Sequence, residues 1–347
     1  MLFFRTLILS LLLAVTWPLE SEAQIRPLGL VLPTDNDAIF STNPENFYMY
    51  TNRSFEGKAS TPWQAGQFGY VRNPRRTAEG LVYTRFHEGV DIKPVKRDSA
   101  GRPLDAVRAI SDGKVVHVNP SAGASSYGRY VVVEHEWGYG PFFSLYAHLE
   151  TISAKVGDTV RAGDQIAIMG YTGTGLNRTR AHLHLELCMR LNTRFGKWHS
   201  SRYTLPNKHG MYNGLNLVGI DIASLYAKHR KDPGLNLAGF ITEMEPYFRV
   251  RVPKKGVLEI VENYPWLYRP KAGGDSGVSW EISFSSSGVP LSVVTSSVPT
   301  TTPKVVWVKH SKTYHSYLTR GRLGGSGSSA SLQNSGQAYI QLITGAF

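Results

Sequence analysis

The sequence predicts a mainly β fold, an antiparallel β-barrel or sandwich followed by a second small β-domain, and three observations carry that prediction. Between Leu81 and Arg190, short runs of alternating apolar and polar residues follow one another with little helical periodicity. Turn signals separate them, notably Asp112-Gly113, Gly157-Asp158 and Gly163-Asp164. From about Phe248 the alternation resumes between stretches of Ser, Thr, Pro and Gly. A chain of 347 residues is also long for one core and fits two domains of ordinary size. The expected divisions are a leader over 1–23, an extended arm over 24–66, a first β-domain over 67–213, a helical connector over 214–247 and a second β-domain over 248–347.

Residues 1–24 have Arg5 near their start, an apolar run over 7–17, and Ser21-Glu22-Ala23 before Gln24, the pattern of a secretory signal peptide cleaved near Ala23. The apolar run falls short of the roughly 20 residues that a bilayer span needs, so no transmembrane segment is expected after cleavage. The single cysteine, Cys188, excludes a disulfide within the chain and leaves no lipid-bearing cysteine after the leader. A secreted or periplasmic protein of the cell envelope is the expectation. A formal net charge of +12 attracts polyanions. Outside the cytoplasm these are anionic wall polymers, and no helix-turn-helix or stacking-aromatic signature supports nucleic acid.

The arm over 24–66 is rich in Pro, Asn, Thr and Ser and predicts little regular structure. Arg72, Arg75 and Arg76 come next, in a stretch that reads as a solvated loop although it has the charge to meet carboxylates. Strands are then expected at 81–86, 90–93, 106–110, 114–118, 130–136, 142–149, 165–169 and 182–187, with Asp112-Gly113 as a hairpin turn. Asp221 can cap a helix in which Ile222, Leu225, Tyr226 and His229 recur at helical spacing before Pro233-Gly234. The second β-domain reads as strands at 249–254, 256–261, 278–284 and 304–309, then a Gly- and Ser-rich flexible loop over 321–329 and a last strand at 338–343. Its Trp266, Tyr268, Trp280, Trp307 and Tyr314 are expected mainly in the core.

Chemistry concentrates in Arg180-Ala-His-Leu-His-Leu-Glu-Leu-Cys188. In a strand, His182, His184 and Glu186 share one face while Leu183, Leu185 and Leu187 share the other. In a helix the two histidines would diverge by about 200°. The stretch Phe86-His-Glu-Gly-Val-Asp-Ile92 puts His87 and Asp91 at an even spacing, and Gly89 with the branched Val90 and Ile92 disfavours a helix. A zincin helix would need a second histidine at position 91. Imidazoles and a carboxylate from separate strands are instead the ligand chemistry of a catalytic zinc that keeps a fourth position for water. In 142–149, Ser144, Tyr146 and His148 fall on one face and Phe143, Leu145 and Ala147 on the other, so His148 can point away from the core. His117 and His135 read as ordinary surface or core histidines.

Four pieces in order, His87-x-x-x-Asp91, Leu145-Tyr-Ala-His-Leu149, Val156-Gly-Asp-Thr-Val-Arg-Ala-Gly-Asp-Gln-Ile166 and His182-x-His184, resemble the lysostaphin-type (LytM-like) zinc endopeptidases that cut peptidoglycan peptides. That resemblance, from roughly Gly69 to Leu187, implies a LytM-like barrel related to the biotinyl and lipoyl hybrid barrels. It also implies a Zn2+ cofactor held by His87, Asp91 and His184, with His148 and His182 as catalytic histidines beside a zinc-activated water. The implied substrate is a peptide bond in the stem or cross-bridge peptides of peptidoglycan. The alternative is a metal-free or inactive scaffold, regulator or wall-binding module of the same family.

The chain departs from the family in two segments, a long charged loop over 93–105 and a longer, basic one over 173–181, and both are expected to rim the groove. Gly170-Tyr-Thr-Gly-Thr-Gly175 lacks the Lys-Ser/Thr tail of a phosphate loop and reads as a turn. Glu186 shares the face of His184 and could orient it, but an ordinary exposed Glu is the expectation. Cys188 is expected as a buried small hydrophobe.

Overall fold

The alternating runs of the first half fold into strands, as their β-branched and aromatic content favours. The computed structural model describes residues 25–270 and 276–347 and has a mainly β architecture; the expected leader lies outside the described residues. Two small hairpins come first, β1 (Arg53–Phe55) with β2 (Lys58–Ser60) and β3 (Gly69–Thr77) with β4 (Gly80–His87). Then follow β5 (Val90–Ile92), β6 (Ala106–Arg108), β7 (Gly113–Asn119), β8 (Tyr130–Glu136), β9 (Pro141–Ala147), β10 (Leu149–Ile152), β11 (Thr159–Val160), β12 (Gln165–Met169), β13 (Leu183–Arg190) and β14 (Leu217–Ile220). The larger sheet runs β11-β7-β8-β9-β13-β14, with β5 also paired to β13, and the smaller runs β10-β12-β6.

The central strands of the large sheet are covered on both faces. Tyr146, Leu183, Leu185 and Leu187 point into the main apolar core, while Leu145, Ala147 and Cys188 join Tyr130, Val132 and Leu217 in a smaller cluster. His184, Glu186 and Cys188 alternate with the leucines along β13, as its period of two requires. Their side of the sheet carries the polar site at one end and the smaller apolar cluster at the other.

Several expectations need correction. Asp112-Gly113 is not a hairpin turn, because β6 and β7 belong to different sheets. The arginine stretch is strand β3 rather than a loop, and Arg72 and Arg85 are register partners across it. Residues 256–261 do not form a strand; a turn there leads into the short helix Glu259–Asn263. The expected last strand lies inside the helix Asn334–Thr344, which ends on Gly345 with φ 68°. Its buried Gly336, Tyr339, Ile340 and Ile343 have helical spacing, a period that a short apolar run does not reveal. The Gly- and Ser-rich stretch contains Leu323–Gly324, which pairs with Ser331–Leu332.

Other expectations match the structure. The helix Ile222–Lys231 starts at Asp221, whose carboxylate accepts from the Ser224 N–H, and buries Ile222, Leu225 and Tyr226. At the turns, Asp158 and Asp164 accept from the N–H groups of Lys155 and Arg161, and Gly157 and Gly163 take the positive φ that each turn requires.

After these helices come β15 (Phe248–Pro253), β16 (Ser279–Phe284), β17 (Pro290–Ser296) and β18 (Lys304–Val308), a four-stranded antiparallel sheet in the order β17-β16-β15-β18. Trp280 is buried, and Trp266 donates through Nε1 to the Tyr139 carbonyl at 2.6 Å. Trp307 and Tyr314 stay exposed, at 41% and 60%. The main core is one continuous cluster from Leu28 and Phe47 of the arm, through the large sheet, to Ile343 of the last helix. No helix among the described residues is long and apolar enough to cross a membrane.

Candidate metal centre and its cleft

The register of three strands assembles the site. β13 lies between β5 and β9, so His184 stands opposite Asp91 on one side and Ala147 on the other. His87 closes β4, and the chain turns through Glu88 and Gly89 into β5. A Cβ on Gly89 would lie 2.2 Å from the Leu185 carbonyl oxygen, so only glycine lets the ligand-bearing strand approach β13 this closely. His87 and Asp91 thus come from two strands of different sheets rather than from one face of a continuous strand.

His87 Nε2, Asp91 Oδ1 and His184 Nδ1 form a triangle with sides of 3.0, 2.9 and 3.1 Å. Tetrahedral zinc ligands at their usual bond lengths stand about 3.3 Å apart. The outer partners decide the protonation. His87 Nδ1 donates to the Gln67 carbonyl at 2.8 Å, and His184 Nε2 donates to Glu186 Oε1 at 2.8 Å. With those protons outside, three lone-pair atoms face one another, an arrangement that a cation stabilises and that neutral histidines alone do not. The pKa of His184 expresses the same demand: burial opposes its charge, but the Asp91 and Glu186 carboxylates outweigh burial and raise it to about 10. The residues present therefore fit a divalent metal.

Asp91 is 2% exposed, and Arg72 Nη2 donates to its Oδ2 at 2.5 Å. Burial raises the pKa of its carboxyl, yet His87, His182 and Arg72 hold it well below the usual carboxylate range. Glu186 is not the exposed residue expected: it is buried and accepts from His184, from the Tyr127 hydroxyl at 2.7 Å and from the Cys188 thiol at 3.3 Å. Cys188 is buried, as expected.

His148 and His182 line the same cleft, with ring centres 4.7 Å apart. His182 Nδ1 donates to the Arg180 carbonyl at 2.7 Å, leaving Nε2 3.3 Å from Asp91 Oδ1. His148 Nδ1 donates to the Thr172 carbonyl at 2.9 Å. The simple parity expected for His148 does not hold, because Ser144 and Tyr146 of its nominal face turn into the protein interior. A left-handed backbone at His148, φ 64°, marks the corner where the chain leaves β9 for β10 of the other sheet and swings the imidazole into the cleft. His135 is buried against Trp137, and His117 packs between Tyr130 and Tyr212; both lie outside the cleft.

The cleft has a volume of about 1070 Å³. The loop over 173–181 lines it through Thr174, Gly175, Leu176 and Arg180, whereas the loop over 93–105 does not, contrary to expectation. The latter buttresses the former, with Arg97 Nη1 donating to the Arg178 carbonyl at 2.9 Å. Sequence reasoning missed Tyr127, Glu88 and Arg320. Arg320, from beyond β18, pairs with Glu88, which lies between His87 and Asp91 in the chain. A separation of 232 residues leaves no local signal for that contact.

Fold and site together define a β protein with a His–Asp–His metal-type centre in an open cleft. Residues 85–194 match the family model of Peptidase family M23, and the chain carries a domain of that family. It is 38% identical over 114 residues to an "Uncharacterized metalloprotease" of Haemophilus influenzae, covering 33% of this chain and 21% of that protein. It is 36% identical over 119 residues to the "Murein hydrolase activator NlpD" of Escherichia coli, covering 33% and 27%. It is 38% identical over 119 residues to the "Peptidoglycan DD-endopeptidase ShyB" of Vibrio cholerae, covering 34% and 24%. The matches thus span about a quarter of the length of these relatives.

Proposed function

We propose that this protein is a secreted or periplasmic zinc metalloendopeptidase that hydrolyses peptide bonds in the stem or cross-bridge peptides of peptidoglycan, with its metal held by His87, Asp91 and His184. The observation that carries the reading is the convergence of His87 Nε2, Asp91 Oδ1 and His184 Nδ1 on one point, each residue backed by its own partner, beside two further histidines in one cleft. Zinc bound there supplies Lewis acidity, polarising a peptide carbonyl and acidifying water.

The remaining work belongs to the chain. Carbonyls of Thr172 and Arg180 accept from Nδ1 of His148 and His182, so that each ring in its neutral form presents a lone pair on Nε2. That pair takes a proton from the attacking water and returns it to the leaving amine. Tyr127 and Glu186 hold the ring of His184 in place. On this reading, 67–213 is the peptidase domain and 248–347 an accessory domain, with the leader over 1–23 directing export.

The relative named as a hydrolase activator motivates a second reading, a metal-free scaffold. Elemental analysis of the purified mature chain, with mass spectrometry of peptidoglycan fragments released with and without chelator, separates the two. Near-stoichiometric zinc and chelator-sensitive new amino termini are expected. A chain without metal that releases no new termini would overturn the peptidase reading in favour of the scaffold.

A further inference from the structure

Five arginines and three carboxylates line the cleft, and all three carboxylates are already engaged. Asp91 is held by Arg72 and the candidate ligand histidines, Glu88 by Arg320, and Glu186 by His184, Tyr127 and Cys188. Arg53, Arg85 and Arg180 have no carboxylate within ion-pair distance among the described residues.

These three line the same cleft as Arg72. Arg85 is its register partner across the β3–β4 hairpin, a like-charged pair placed directly opposite, which destabilises a sheet. The Arg85 side chain is exposed and makes no hydrogen bond or ion pair among the described residues. Arg53 reaches the Val71 carbonyl, next to Arg72 in the chain, through Nη2 at 2.9 Å. Arg180 is half-buried, and its Nε donates to the Tyr50 carbonyl at 3.2 Å, leaving its terminal nitrogens uncommitted. Asp91 pairs directly with Arg72 and is felt by Arg180 only at longer range. Holding three more guanidiniums in one cleft is unfavourable unless the cleft receives negative charge.

We propose that Arg53, Arg85 and Arg180 form a carboxylate-binding subsite beside the metal centre, so that the cleft selects stem peptides whose side-chain and terminal carboxylates are free over those in which they are amidated. The inference rests on the peptidase reading and adds the chemistry of the substrate. Guanidinium forks match the geometry of carboxylates and distinguish an anion from a neutral amide of the same shape. Arg53 lies outside the residues matched to the family, so part of this selectivity is contributed by the arm.

The test uses a synthetic stem tetrapeptide with free carboxylates and the same peptide with carboxamides. Binding is measured by calorimetry in the full-length His148→Ala chain, whose lowered turnover leaves the peptide largely intact during the titration. The free-carboxylate form should bind at least about tenfold more tightly. In an Arg53→Gln/Arg85→Gln background that preference should collapse, and with both residues changed to lysine much of it should return. Thermal melting of each variant checks that the fold is kept. Equal binding of the two peptides, or a preference that survives the glutamine pair, would overturn the subsite. Failure of the peptidase reading registers separately, as the absence of chelator-sensitive cleavage by the wild-type chain.

Discussion

His148 owes its place in the cleft to one dihedral angle. Strand parity alone would send it into the core behind Tyr146, and its φ of 64° at the sheet-to-sheet corner turns it round. A left-handed residue with a large side chain is strained, and such strain persists where the surrounding structure over-determines it. His148 and His184 therefore have separable roles. Substituting His148 with alanine should leave the metal stoichiometry unchanged and lower turnover by about 10²–10⁴-fold. His184→Ala should lose both, because it removes one donor of three. Metal analysis beside a cleavage assay distinguishes them, and a His148→Ala chain that retains full activity would remove His148 from the mechanism.

Among elements, β13 and β5 do the positioning. β13 is flanked by β5 and β9, so register places His184 opposite Asp91 without any special loop. Gly89 is what lets β5 come so close, since any side chain there meets the backbone of Leu185. A Gly89→Ala change should destabilise the fold by about 3 kcal/mol and weaken metal binding, as β5 is pushed off β13. A urea midpoint and metal affinity equal to wild type would show that the strand pair yields there. The arm supports the same strand from its other edge, with the Met49 N–H donating to the Asp91 carbonyl at 2.7 Å and the Lys93 N–H to the Phe47 carbonyl at 2.8 Å. Residues expected as a structureless arm thus extend the ligand strand's hydrogen bonding.

On the scale of the whole molecule, the arm, both sheets of the first half and the C-terminal sheet share one apolar core, and Arg320 carries the last part of the chain to the cleft. Buried titratable groups tie that core to pH. His135 is fully buried between the Asp112 carbonyl and Ser144, and burial lowers its pKa to about 4. In the unfolded chain it takes a proton near pH 6.5, so its share of stability is complete above that pH and is lost as pH falls towards 4. The loss amounts to about 3 kcal/mol. Urea unfolding at pH 7 and pH 4 should show a loss smaller by about that amount in His135→Gln than in wild type. An identical pH dependence in the two chains would exclude His135 as the source.

The mainly β class was legible in the sequence, because alternation with a period of two is a local signal that survives folding; His87, Asp91 and His184 were singled out by the family resemblance of the ordered motifs, and the structure brings the three side chains together. Cys188 was legible as a buried residue, since a free cysteine behaves as a small hydrophobe. Parity reasoning failed where a strand was interrupted, at Glu88-Gly89 and at His148, since a period of two holds only within an unbroken strand. It failed again over the helix Asn334–Thr344, where a short apolar run fits either period and packing against the core decides. The burial of Glu186 under Tyr127, the pairing of Glu88 with Arg320 and the lining of one cleft by Arg53, Arg72, Arg85 and Arg180 were decided by tertiary structure alone. Each joins segments far apart in the chain, and no local propensity or periodicity records which distant side chain will supply the partner to a buried charge.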